Sequence, residues 1–303
     1  MGSVWEVWWC YDGWHSVADE LERMLPPEYV LKRMDPSIPL HEQVQNAHVL
    51  IPTTGTVDKQ AIDASPNLRL IAQPASGYCN IDVAAARARG IPITLAPGYN
   101  SQAVAEVALC MMLMLARRVD EARAAFQARL IGEPVGSTLH GKVLGIVGLG
   151  RVGKCLATAA KALGMEVMGT DSKSSREDLT SLLKRSHVVS LHVPLTSTTQ
   201  GLIGAAELAL MRPGAILINC ARGPVVDKQA LIEALEQGRL GGVGLDVHWV
   251  EPADPAESLY SHPRVLALPH LGSVSQEVYQ SFASVLFENI TRVREGRELL
   301  HPL

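Results

Sequence analysis

In the second half of the chain, short apolar runs alternate with stretches of helical spacing. The runs are Lys142–Val147, Met165–Thr170, His187–Leu191, Ala215–Asn219, Gly241–Asp246 and Val265–Leu268. Helical patterns lie between them at Arg151–Leu163, Arg176–Arg185, Ala205–Met211 and Lys228–Gln237. A strand that is apolar on both faces must be covered on both faces, and the alternating helices supply the cover. The pattern predicts an α/β fold with a doubly wound parallel sheet of six strands, in the expected order 3-2-1-4-5-6.

The first hundred residues repeat the alternation on a smaller scale. Candidate strands Val4–Trp9, Tyr29–Arg33, His48–Ile51, Leu68–Ala72 and Ile91–Leu95 are interleaved with helical patterns near Val17–Met24, Lys59–Ala64 and Asp82–Arg89. This predicts a separate, smaller α/β domain. Near the end, Val274, Val278, Phe282, Val285, Leu286, Ile290 and Val293 recur at helical spacing. That helix follows the last strand of the larger domain, so the chain is expected to cross back to the first. The expected division is 1–98 with 275–303 for one domain and 99–274 for the other, both of ordinary size. There is no internal repeat and no low-complexity linker, and the chain ends after this helix, so a C-terminal regulatory domain is not expected.

Composition excludes several classes. Lys and Arg number 27 against 31 Asp and Glu, a net charge of −4 that leaves no electrostatic footprint for nucleic acid. The longest apolar block, Ala103–Ala116, is broken by Glu106 and is too short to cross a bilayer, so it predicts a buried helix and no membrane partner. The opening Met-Gly-Ser-Val-Trp-Glu has no signal-peptide character, and Glu6 breaks the myristoylation pattern. Five cysteines without CxxC spacing predict reduced thiols in a cytoplasmic protein, and neither disulfides nor a metal site. Four of the five tryptophans (Trp5, Trp8, Trp9 and Trp14) fall in the first 14 residues, without an assigned role.

The run Lys142–Val147 leads into Gly148, Leu149, Gly150, Arg151, Val152 and Gly153, and then a helix. GxGxxG between a strand and a helix permits a tight turn, close approach of backbone to a pyrophosphate, and helix packing on the strand. The helix N-terminus then offers free N–H groups to phosphate. The next strand ends at Asp171. A carboxylate there accepts from ribose hydroxyls and repels a 2′-phosphate, which favours NAD over NADP. Lys173 and Arg176 close behind leave some tolerance of NADP open.

Ligands of open α/β sheets bind beyond the carboxyl ends of the strands. Arg222 follows the fourth of the six runs, Glu251 the fifth and His270 the sixth. An arginine can clamp a carboxylate by two parallel hydrogen bonds. A histidine can exchange a proton near neutral pH, and a glutamate beside it can orient the ring and favour its charged form. With NAD, these are the groups needed to interconvert a 2-oxo acid and a 2-hydroxy acid.

Several blocks in order carry a resemblance: Leu144 to Gly153, Leu191 to Thr196, Ile218 to Asp227, Gly244 to Val247, and Leu268 to Gly272. Together they resemble the D-isomer-specific 2-hydroxyacid dehydrogenases, including the glyoxylate/hydroxypyruvate reductase-like and phosphoglycerate dehydrogenase-like members. The resemblance implies a Rossmann cofactor domain, a flavodoxin-like substrate domain and a homodimer formed partly through the helix near Gln102–Ala116. It implies that Arg222 binds substrate, that Glu251 and His270 are catalytic, and that His270 supplies the proton. It further implies cofactor contacts from Gly148, Gly150, Arg151, Val152, Gly153, Asp171, Val193, Pro194, Cys220, Ala221, Asp246 and Gly272, with Asp246 holding the nicotinamide carboxamide. In the first domain, Ser76 and Gly77 match a loop whose N–H groups hold the substrate carboxylate, and Asn100 matches an asparagine facing the substrate.

Departures from the family narrow the substrate. Glu251 stands where formate dehydrogenases carry Gln, which excludes formate. Pro52, Thr56 and Gln73 stand where phosphoglycerate dehydrogenases carry basic residues. A phosphate without a partner is poorly bound. The expectation is therefore a small unphosphorylated 2-oxo acid, such as glyoxylate or hydroxypyruvate. Ala75, Ser76 and Cys79 depart from the Gly and Asp frequent in the carboxylate loop. Phosphoglycerate dehydrogenase-like activity and a non-catalytic NAD(H)-sensing protein remain the alternatives. Trp249 is read either as a pocket wall or as a packed residue at the domain interface.

Overall fold

The structure is a computed structural model that describes residues 4–303; the first three residues of the N-terminal acylation pattern lie outside them. In chain order the elements begin with β1 (Trp5–Trp9), α1 (His15–Met24), β2 (Tyr29–Arg33), α2 (Leu40–Gln43), β3 (Ala47–Ile51), α3 (Lys59–Asp63), β4 (Leu70–Ala72), α4 (Val83–Ala88) and β5 (Ile93–Thr94). They continue with α5 (Ser101–Arg117), α6 (Val119–Gln127), β6 (Val143–Val147), α7 (Arg151–Ala162), β7 (Glu166–Thr170), α8 (Arg176–Arg185) and β8 (Val188–Leu191). The last are α9 (Ala205–Leu210), β9 (Ala215–Asn219), α10 (Lys228–Glu236), β10 (Leu240–Leu245), β11 (Val265–Ala267) and α11 (Gln276–Glu295). Two compact units result. One runs to Asn100 and resumes from Ser275 to Leu303; the other is Ser101–Val274.

The first unit holds a five-stranded parallel sheet in the order β2-β1-β3-β4-β5. This is the flavodoxin-like doubly wound order. The amphipathic helix α1 buries Val17, Ala18 and Leu21 and packs on α11, which buries Val278, Phe282, Ala283, Val285, Leu286 and Ile290. The tryptophans fasten this unit. Trp9 is fully buried and donates its indole N–H to the Gly13 carbonyl at 2.9 Å. Trp14 stacks on Phe282 with centroids 6.1 Å apart. Trp5 stacks on His48 at 5.2 Å, and the Arg294 guanidinium lies over both Trp5 and Tyr29. Asn289 on α11 grips the main chain of Leu300, and the tail bonds alongside β5.

The second unit holds a six-stranded parallel sheet in the order β11-β10-β9-β8-β6-β7. The expected order 3-2-1-4-5-6 is corrected to 2-1-3-4-5-6. The reason lies in burial. β7 exposes Glu166 and Gly169 and is suited to an edge, whereas every residue of β8 is buried. α8 therefore carries the chain back over β6, and β8 pairs on the far side of it. Leu179, Leu182, Leu183, Leu208, Leu231 and Leu235 cover one face of the sheet. Ala105, Ala108, Met111, Met112, Leu156 and Ala160 cover the other.

Candidate active site

All six strands of the second unit run parallel, so their carboxyl ends form one rim. The turn after β6 makes the first part of the site. Gly148 has φ +102°, and a Cβ there would lie 2.7 Å from the His192 main chain. A Cβ on Gly153 would lie 2.4 Å from the Gly148 carbonyl oxygen, so α7 closes on the strand only with glycine there. A Cβ on Gly150, by contrast, would meet nothing within 4 Å. Gly150 caps α7 without a side-chain partner, and the amides of Arg151 and Val152 open the helix. This is an open cradle of N–H groups at a positive helix end, which fits a pyrophosphate.

Asp171 stands just past β7. Its Oδ1 accepts from the Lys173 amide at 2.8 Å and from the Ser174 hydroxyl at 3.3 Å, while Oδ2 accepts from none of the described residues. Arg176 is ion-paired with Glu207, whose side chain is 7% exposed. That guanidinium is thereby committed, which leaves Lys173 as the nearby cation named above. Val193 and Pro194 follow β8 on the same rim. His192 between them and the strand is neutral: burial holds its pKa down at about 4, Nε2 lies 2.8 Å from Ser190 Oγ, and Nδ1 is buried without a partner among the described residues.

Three loops follow the neighbouring strands β9, β10 and β11. Asn219, the fully buried last residue of β9, accepts from the Ala221 amide and donates to the Arg222 carbonyl, both at 3.0 Å, and so shapes the following loop of Cys220, Ala221 and Arg222. Burial raises the Cys220 thiol well above its ordinary range, with the Asp246 charge adding to the effect. Arg222 donates to the Ala221 carbonyl at 2.7 Å and forms no ion pair within the described residues. A partly buried guanidinium with free donors is suited to an added carboxylate.

After β10, the carboxylate of Asp246 is 1% exposed and accepts from the Leu271 amide at 2.7 Å and the Gly272 amide at 3.0 Å. Burial raises its pKa, and these bonds partly offset the effect. Asp246 thus ties the β10 loop to the β11 loop. Glu251 makes the second tie. Its Oε1 accepts from the His248 amide at 2.9 Å, and its Oε2 lies 2.8 Å from His270 Nδ1. Burial works to raise the Glu251 carboxyl, but the His270 and His248 contacts together outweigh it and hold the pKa below its ordinary value. The His270 backbone is left-handed at φ 56°, a strain of about 1–3 kcal/mol for a non-glycine residue. With Nδ1 engaged, Nε2 is the ring nitrogen left to exchange a proton with a ligand.

Trp249 is a packed residue of this unit. Its indole N–H donates to the Val226 carbonyl at 2.8 Å, and Lys228 lies over its ring. Asn219 and His248 carry no motif of their own in the sequence. The one signal for Asn219 is that it is the polar residue closing the otherwise apolar strand β9.

In the first unit, Ser76, Gly77 and Asn100 lie near the carboxyl edge of that unit's sheet. Gln73 is 3% exposed and donates to the Thr53 and Gly77 carbonyls at 2.9 and 2.7 Å. Asn80 donates to the Thr53 and Gly55 carbonyls. These bonds fix the 75–80 loop, in which the Ser76 and Gly77 amides donate to none of the described residues.

Comparison with known proteins identifies the family. Residues 109–272 match the family model "D-isomer specific 2-hydroxyacid dehydrogenase, NAD binding domain". The chain is 40% identical over 286 residues to a glyoxylate reductase of Thermococcus litoralis, covering 86% of each. It is 36% identical over 272 residues to a D-3-phosphoglycerate dehydrogenase of Methanocaldococcus jannaschii, covering 85% of this chain and 52% of that one. Among solved structures, a D-lactate dehydrogenase from Aquifex aeolicus complexed with NAD and lactic acid superposes with a TM-score of 0.81 at 25% identity, covering 96% of each chain. The chain belongs to the D-isomer-specific 2-hydroxyacid dehydrogenase family, and its NAD-binding domain is the one that carries the glycine turn, Asp171 and the Glu251–His270 pair.

Proposed function

We propose that the chain reduces a small, unphosphorylated 2-oxo acid of the glyoxylate or hydroxypyruvate class to its D-2-hydroxy acid. The broader activity is that of its family, NAD-dependent interconversion of 2-oxo and 2-hydroxy acids. The observation that carries the reading is the Glu251–His270 contact of 2.8 Å on the strand-end rim that also bears Arg222.

In this reading NAD is held by the Gly148–Gly153 turn, by Asp171 on the ribose, and by Arg151, Val152, Val193, Pro194, Cys220, Ala221, Asp246 and Gly272. Bound NADH supplies the hydride to the carbonyl carbon. Arg222 pairs with the substrate carboxylate, joined by the Ser76 and Gly77 amides and by Asn100. His270 Nε2 gives its proton to the oxygen that becomes the hydroxyl. Glu251, held from its other oxygen by the His248 amide, keeps the ring oriented and offsets its charge. Buried Gln73, spent on main-chain carbonyls, together with Pro52 and Thr56, offers no cation to a phosphate, which favours unphosphorylated substrates.

We also place the protein in the cytoplasm as a homodimer. All five cysteines are free, which suits a reducing compartment, and no helix of the described residues is long and apolar enough to cross a membrane. Leu113 on α5, Phe126 on α6, and Leu130, Ile131 and Val135 beyond it are exposed apolar side chains, a pattern that a second copy would cover.

The test mixes purified protein with NADH or NADPH and glyoxylate, hydroxypyruvate, pyruvate or 3-phosphohydroxypyruvate, following loss of nicotinamide absorbance. Reduction of the small acids supports the reading. Turnover of the phosphorylated acid alone overturns the substrate class, and no turnover on any of them overturns the enzyme.

A further inference from the structure

His248 is a buried histidine, 8% exposed, with both ring nitrogens engaged. Nε2 lies 2.9 Å from the Leu268 carbonyl oxygen and Nδ1 3.1 Å from the Tyr260 hydroxyl. A carbonyl only accepts, so Nε2 carries the proton and Nδ1 accepts from the Tyr260 O–H. The two rings stand edge to face at 5.1 Å, which fixes the imidazole from the side as well.

The Leu268 carbonyl has a second donor, the backbone N–H of His270 at 3.0 Å. The backbone N–H of His248 itself donates to Glu251 Oε1 at 2.9 Å. One residue thus holds, through its side chain, the carbonyl that anchors the strained His270 backbone. Through its main chain it holds the carboxylate that anchors the His270 ring. Displacing His248 releases the acid–base pair from both sides.

We propose that His248, buttressed by Tyr260, is a positioning residue that sets the geometry of the Glu251–His270 pair. Its catalytic consequence rests on the function proposed above; its structural consequence does not. The titratable groups around it are Tyr260, Glu251 and His270, with Glu257 acting on Tyr260. Small displacements of a proton donor cost large factors in rate, because the reacting atoms must meet in line at hydrogen-bond distance.

The test compares His248→Phe, which fills the volume without either hydrogen bond, with His248→Gln, which can return a donor to Leu268, and with Tyr260→Phe. Steady-state kinetics of NADH with glyoxylate across pH, NADH affinity, and titration of Glu251 by carbon NMR in the free protein are measured for each. His248→Phe is expected to lower kcat by about tenfold or more with NADH affinity unchanged. It should also raise the Glu251 titration midpoint. His248→Gln should recover much of the loss, and Tyr260→Phe should shift Glu251 in the same direction by less.

A His248→Phe protein that melts lower but keeps the wild-type kcat, pH profile and Glu251 titration overturns the proposal. Where that variant does not fold, an unchanged Glu251 titration in Tyr260→Phe overturns it. If the wild-type protein reduces no 2-oxo acid, the proposed function fails while the Glu251 titrations still decide this inference.

Discussion

Glu251 Oε2 lies 2.8 Å from His270 Nδ1, across a gap of 19 residues and between loops that follow neighbouring strands. The contact fixes which ring nitrogen remains for substrate. It also makes the glutamate separable from the histidine by experiment. His270→Ala removes the proton donor and is expected to lower kcat about 100- to 10,000-fold. Glu251→Gln keeps a hydrogen-bond acceptor but loses the charge, so its loss should be smaller. Stopped-flow reduction of glyoxylate checks both.

The glycine turn separates binding from stability. Gly150→Ala points a methyl into open space and should leave the melting temperature within a degree or so while weakening NADH binding about tenfold or more. Gly153→Ala drives a methyl against the Gly148 carbonyl and should destabilise the fold by about 1–3 kcal/mol. Calorimetry and fluorescence titration with NADH distinguish the two.

Asp171 should set cofactor choice. With Arg176 paired to Glu207, removing the carboxylate by Asp171→Ser leaves Lys173 as a nearby partner for a 2′-phosphate. The kcat/KM ratio of NADH to NADPH is expected to fall by about tenfold or more. An unchanged ratio would remove Asp171 from the ribose site.

His192 makes stability depend on acid. Its pKa in the fold is about 4, below the ordinary histidine value, so between those two values the unfolded chain binds the extra proton. Stability should therefore be full above about pH 6.5 and fall as pH drops towards 4, by about 3 kcal/mol in all from this residue. Urea denaturation of the wild type and of His192→Gln from pH 7.5 to 4.5 measures the difference; parallel curves would contradict the assignment.

The apolar side chains on and beyond α6 predict association. Wild-type protein should sediment at twice the chain mass of 32.7 kDa. Phe126→Asp combined with Ile131→Asp should sediment as the single chain. A wild-type monomer would leave those exposed side chains without a partner.

Much of this was legible in the residues. The alternation of apolar runs and helices reads directly because buried parallel strands are apolar throughout and helices keep a 3.6-residue period. The glycine turn, Arg222, Glu251 and His270 are legible because each sits in the loop that follows a strand's carboxyl end. The order of strands is not, because it depends on which strand tolerates an edge, and that turns on the exposure of Glu166 and Gly169 in β7. The tryptophans were opaque for a similar reason: Trp14 and Trp5 meet Phe282 and Arg294, more than 250 residues away. His248 escaped notice because its partners Tyr260 and Leu268 arrive 12 and 20 residues later.

The packing of α1 on α11 has a consequence for synthesis. Trp14, Val17 and Leu21 emerge from the ribosome early, but the face of α11 that covers them follows only after Ser101–Val274 has been made. At about 5–20 residues per second, that interval is on the order of ten seconds or more. For that time the first unit waits with part of its core uncovered, while the second, whose chain is continuous, can close by itself. The nascent protein is therefore most in need of chaperone shelter at its tryptophan-rich beginning.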